Sequence, residues 1–162
     1  MKYAGIVLLT VSLLFTACHY APYADDFTVK KPKLTDLPGR YYLTELTVND
    51  AHLNKTDSLA NICVNVDGTY TASGIPNVTG NYADTVHKTI SASGKWSLDT
   101  IGEVGRLLGD KWQWGFRLSN IDASYNTVGL MYDSPPYKLI ITFDDPDLGQ
   151  LMIFTKKLVK TR

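Results

Sequence analysis

The chain has 162 residues, and its 16 Lys and Arg balance its 16 Asp and Glu to a formal net charge of zero; it offers neither the basic excess of a nucleic-acid-binding domain nor an acidic tail. Without a leader the length suits one domain and is short for two. The acids are lopsided, 14 Asp against two Glu, and because Asp suits turns and Glu suits helices this favours a β protein with many loops.

Residues 1–17 have the three parts of a secretory leader: a charge at Lys2, an apolar run from Tyr3 to Phe15, and small residues before a cut point. That run is shorter than the roughly 20 residues a helix needs to cross a hydrocarbon core of about 30 Å. The stretch Leu14-Phe15-Thr16-Ala17-Cys18 resembles the bacterial lipobox, with Phe15 where Leu is usual. The resemblance implies cleavage before Cys18 and acylation of its thiol and new amino terminus. Acyl chains contribute about 0.8 kcal/mol per buried CH₂, and two or more hold stably, so the membrane is the first expected partner. His19 rather than Asp follows the cysteine, which under the proteobacterial sorting rule implies the outer membrane of a bacterial cell envelope.

Residues 18–36 are rich in Pro, Lys and Asp with no sustained period, and read as a lipidated N-terminus and flexible tether. The β domain is expected over 37–162. Short period-two segments follow: Arg40 to Val48; Ile62, Val64 and Val66 on one face with Cys63 and Asn65 on the other; and Thr69 to Thr71 after the turn pair Asp67-Gly68. Ser73 to Ser91 reads as a long loop or flap. Further strands are predicted at Lys95–Leu98, Lys111–Leu118, Thr127–Tyr132, Tyr137–Phe143 and Gln150–Leu158, while Ile101 to Leu108 has room for one helical turn or two. The count of about eight predicts an all-β fold, and the period and count suit a sandwich and a barrel alike.

This layout resembles the lipocalin-like domains of exported bacterial lipoproteins, including those of Bacteroidetes. The resemblance covers residues 37–158 and rests on Leu37-Pro38-Gly39-Arg40-Tyr41 opening the first strand, Asp67-Gly68-Thr69-Tyr70 at a hairpin, Gly94-Lys95-Trp96 opening a central strand, and Leu151 to Lys156 closing the sheet. Lipocalins carry Gly-x-Trp on the first strand; here Gly39-Arg40-Tyr41 stands there and Gly-x-Trp falls mid-chain. The resemblance implies an antiparallel up-and-down barrel or barrel-like sheet with a pocket at its open end, and a small apolar or amphipathic ligand.

Trp112, Trp114 and Phe116 share one face of their strand and form an apolar wall. The wall belongs either to a packed core or to a lumen, since eight strands enclose just enough room for side chains or one small ligand. Tyr42, Trp96, Trp112, Trp114 and Phe116 are the candidate ligand-lining residues. Asp144, Asp145 and Asp147, in a run closed by Gly149, make a compact negative turn and a candidate partner loop. As a calcium loop it fails, because Lys156 stands where the bidentate Glu is needed. No metal site or cofactor is predicted: His52 and His87 sit in polar loop sequence outside any metal spacing. No Gly-x-Ser-x-Gly elbow occurs, and Glu45 is a strand carboxylate without a partner, so an enzyme is not expected. Cys63 reads as a small buried residue. Asp57-Ser58-Leu59, Asp84-Thr85-Val86 and Asp99-Thr100-Ile101 look like the O-glycosylation acceptor of Bacteroidetes exported proteins. A ligand-binding lipoprotein is the first reading, and a protein-interaction module with a filled core, such as an inhibitor, an immunity factor or an envelope-complex subunit, is the alternative.

Overall fold

The computed structural model describes residues 23–48, 59–78, 88–104, 111–143 and 149–157. Eight strands, β1 (Gly39–Thr47), β2 (Asn61–Val64), β3 (Thr69–Pro76), β4 (Thr89–Val104), β5 (Lys111–Leu118), β6 (Thr127–Met131), β7 (Lys138–Thr142) and β8 (Leu151–Lys156), form a closed antiparallel barrel. Each pairs with its neighbours in sequence, and β8 closes on β1. The fold is all-β, as the alternation predicts, and of the sandwich and the barrel that alternation leaves open it is the eight-stranded up-and-down barrel.

In β1 the alternation is interrupted once. Tyr41 and Leu43 are buried, a bulge falls between Leu43 and Glu45 in the pairing with β8, and burial resumes at Leu46. One extra residue shifts the side-chain parity and keeps both apolar pairs inside. Between β2 and β3 the turn is tight: Gly68 takes a φ of 82°, a left-handed conformation that glycine adopts without steric cost. Asp67 Oδ1 accepts from Thr69 N at 2.9 Å and from Thr69 Oγ1 at 2.6 Å, which holds the Asp67 carboxyl below its ordinary pKa. Val66, expected on the face of Ile62 and Val64, stands instead in this turn, 87% exposed.

β4 is 16 residues long because it serves two partners in succession. Residues 89–95 pair with β3 and residues 96–104 with β5. This corrects two expectations. Ser73–Pro76 and Thr89–Ser91 belong to β3 and β4 rather than to a loop, and Ile101–Val104 continue β4 rather than turning helical, because β5 supplies a backbone partner for them. Residues 79–87 lie outside the described residues.

Large side chains fill the interior. Tyr41, Tyr70, Phe116 and Phe154 are fully buried with Ile62, Leu130 and Leu139, each apolar side chain contributing roughly 1.5–3 kcal/mol. The phenols among them are satisfied: Tyr41 Oη donates to Leu37 O at 2.6 Å and Tyr70 Oη to Ser119 O at 2.7 Å. At the opposite end of the barrel Tyr125 Oη accepts from Val78 N at 2.8 Å and donates to Pro76 O at 3.2 Å.

Residues 23–36, expected as flexible tether, lie against the barrel wall as a strap. β5 and β6 pair only through Gly115–Arg117 and Thr127–Gly129; beyond that point the strap runs between them. Thr28 N donates to Leu130 O of β6 and Thr28 O accepts from Trp114 N of β5, both at 2.9 Å. Tyr132 N donates to Asp26 O at 2.7 Å, and Asp133 Oδ1 accepts from the amides of Val29 and Lys30. Tyr23 and Phe27 cover a second apolar cluster on the outside of the barrel, Met131, Ile140, Leu151 and Ile153. The sequence looks like a linker because its contacts are with strands about a hundred residues away, and no local period announces them.

Candidate functional site

The strap turns around one end of the barrel, the end where β1, β3, β5 and β7 begin. There Lys31, Leu34 and Thr35 face the β2–β3 turn, Val66, Asp67 and Gly68, across a cleft of about 540 Å³ whose floor is Trp96, Ser97 and Leu98 of β4. That volume is within the few hundred to a thousand Å³ of small-molecule sites. Trp96 is fixed from both sides. Its backbone amide donates to Gly68 O and its indole Nε1 to Asn65 O, each at 2.9 Å. With its polar atom used, the ring offers an apolar surface. It packs tilted at 54° on Phe116, with centroids 5.1 Å apart. The cleft thus rests on the buried core.

Two charges border it. Lys31 holds its ammonium 5.2 Å from the centroid of the Trp114 ring, the range of a cation–π contact. The Asp67 carboxylate is already held by Thr69 through one oxygen. An aromatic floor, apolar walls and one charge of each sign at the rim suit an amphipathic molecule.

The ligand-lining candidates divide by height along the strands. Trp96 lines the cleft. Trp114 is half-buried against the core, beneath Lys31. Phe116 is fully buried, a core residue rather than a lumen contact, and Trp112 is 55% exposed at the start of β5. Tyr42 is the one placed on the wrong face: its neighbour Tyr41 points inward, while Tyr42 lies on the outer face beneath the Lys157 ammonium, 5.7 Å from its ring centroid. Asp144, Asp145 and Asp147, Cys18, His52, His87 and the acceptor residues Ser58 and Thr85 lie outside the described residues. Thr100 is half-buried and pairs with Trp114. Glu45 sits on the outer wall, accepting from Tyr23 Oη at 2.7 Å, and Cys63 is half-buried with Sγ 3.7 Å from Asn65 Oδ1.

Of the nine cleft residues the reading of the sequence names only Trp96 as ligand-lining, and it misses Lys31, Leu34 and Thr35 because a tether assignment removes them from the domain. Leu34 is 59% exposed, and an exposed leucine opposite an aromatic floor is the kind of signal only the fold supplies. Among the described residues no group of His, Cys, Asp and Glu side chains is clustered for a metal ion. Comparison of the chain with protein-family models, curated proteins and solved structures finds no match.

Proposed function

We propose that this protein is a lipid-anchored component of the bacterial cell envelope, in its outer membrane, whose barrel binds a small amphipathic ligand in the end cleft. The observation that carries the reading is the cleft itself, with Trp96 and Leu98 as floor, Leu34 and Val66 as apolar walls, and Lys31 and Asp67 at the rim. The lipid-anchor part rests on the lipobox-like residues Leu14 to Cys18. Native mass spectrometry of the protein released gently from its own membrane tests both parts, through the mass at Cys18 and through any co-purifying small molecule. Titration with single-chain amphiphiles supplies the affinity: Trp96 emission is expected to shift on binding, and Trp96→Phe to lose that shift. A protein that titrates with no emission change and releases no small molecule would sink the ligand reading.

The filled interior favours a second reading, a protein-interaction module. Tyr41, Tyr70, Phe116 and Phe154 occupy the space a deep calyx would need. Capture of a stoichiometric protein partner by the acylated protein, undiminished by Trp96→Phe, would favour it over ligand binding.

A further inference from the structure

The exposed large apolar side chains are unevenly placed. Among the described residues, Leu34, Val66, Trp112 and Tyr132 lie at the cleft end of the barrel, and Leu59 stands before β2 at the opposite end. Basic side chains gather at the same cleft end: Lys31 and Lys33 on the strap, Arg40 opening β1, Lys111 opening β5, Lys138 opening β7 and Lys157 after β8. Asp26, Asp36, Asp67, Glu103 and Asp133 share that end, but among the described residues cations outnumber them. Two of the cations stand over tyrosine rings, Lys138 over Tyr132 at 5.3 Å and Lys157 over Tyr42 at 5.7 Å. Tryptophan and tyrosine beside lysine and arginine are the side chains that settle at a bilayer interface, rings at the headgroup level and cations among the phosphates.

The length of chain before the strap limits where the barrel can be. Cys18 lies five residues before Tyr23, a reach of at most roughly 18 Å. Tyr23 is held on the wall beside Glu45, two residues from the end of β1. Glu45 is six residues from the start of β1, a height of about 15 Å after strand tilt. An anchor of that reach keeps the barrel surface at the bilayer, and the apolar and basic side chains select the end that touches it.

Building on the anchored reading, we propose that the cleft end of the barrel docks on the bilayer surface, with Leu34, Val66 and Trp112 at the interface and the surrounding cations on anionic headgroups. The cleft then opens toward the membrane, and its ligand class is a membrane-resident amphiphile rather than a solute of the surrounding fluid.

The test uses the whole mature protein, its mass at Cys18 read first, on vesicles of phosphatidylethanolamine and phosphatidylglycerol with or without lipid brominated near the headgroup. Brominated lipid is expected to remove roughly a third of the emission, the share of Trp112 among the three tryptophans. Trp112→Phe is expected to abolish that loss, and Leu59→Trp on the Trp112→Phe background to remain unquenched at the far end. Acylated protein in which Trp112 escapes quenching, or in which the tryptophan at 59 is quenched, overturns the docking and leaves the anchor standing. Protein without lipid whose Trp112 is still quenched supports the docking surface and removes the anchor; no lipid and no quenching removes both.

Discussion

The Phe27 ring rests on Gly129, where an added Cβ would stand 2.6 Å from Phe27 Cε1 and 2.8 Å from Ile140 Cγ2. This is how an N-terminal segment without regular structure finds a fixed seat on the outside of the barrel. Gly129→Ala is expected to cost about 1–3 kcal/mol, since Phe27 or the branched Ile140 must give way. Phe27→Ala, at a half-buried site, is expected to cost about 2 kcal/mol. The double variant should cost less than the sum, because the shortened side chain at 27 leaves room for the new methyl. Denaturant titration of the three variants measures this, and strict additivity would mean the two residues do not act through their contact.

At the other end, Tyr125→Phe leaves the buried Val78 amide without the acceptor it finds at 2.8 Å. A loss of about 1–2 kcal/mol is expected, with faster hydrogen exchange at Val78 and little change in the strap. An unchanged Val78 exchange rate would show that Tyr125 is there for packing alone.

Lys31→Ala removes an exposed cation from above the Trp114 ring. Stability is expected to fall by less than about 1 kcal/mol, while the Trp114 component of the emission shifts. Trp114→Phe should cancel that shift. No emission change would place Lys31 away from the ring in solution.

Alkaline pH is expected to open the barrel. Burial, and secondarily the neighbouring Tyr137, raises the Tyr41 phenol well above its ordinary value; burial also raises Tyr70 and, with Asp36 and Asp133, Tyr137. Unfolded phenols titrate near pH 10. A folded-state pKa above that value means the neutral phenols stabilise the fold fully below about pH 10, and this contribution is lost as pH rises through the folded values. The part of the phenolate absorbance that comes from these three phenols should therefore rise together with the loss of circular dichroism above about pH 10. Tyr41→Phe is expected to lose about 1 kcal/mol at neutral pH with the bond to Leu37 O, yet to unfold at higher pH than the parent. A Tyr41→Phe variant that unfolds at the same pH as the parent would contradict this.

Most of the strands were legible because they announce themselves locally; the end of β3 and both ends of β4 were not. Asp67-Gly68 makes the turn its composition suggests, and the alternation of Trp112, Trp114 and Phe116 does give one face. What alternation does not carry is depth: those three rings pass from exposed through half-buried to fully buried as β5 runs from the end of the barrel to its middle. Nor does it carry parity across a bulge. With Tyr41 and Tyr42 adjacent, one residue of register decides which faces the core, and the shift between Leu43 and Glu45 hides the answer from a strict period of two. The cleft was legible only through Trp96, since its opposite wall comes from the strap, whose partners Leu130 and Trp114 are distant in sequence.

The same segment has a consequence for how the molecule comes to be folded. The gap between β5 and β6 is sealed by Thr28, and the barrel as a whole closes only when β1 meets β8. Both seams join the beginning of the chain to parts made much later, so neither forms early by local zippering, and such long-range pairings make for slow folding. Until they form, β5 and β6 expose unpaired backbone beside Trp114 and Leu130, the arrangement that invites pairing between chains. The first residues of the domain are in this sense its last to be placed, and a chain shortened at Tyr23–Thr28 would be expected to aggregate during refolding even where its strands are intact.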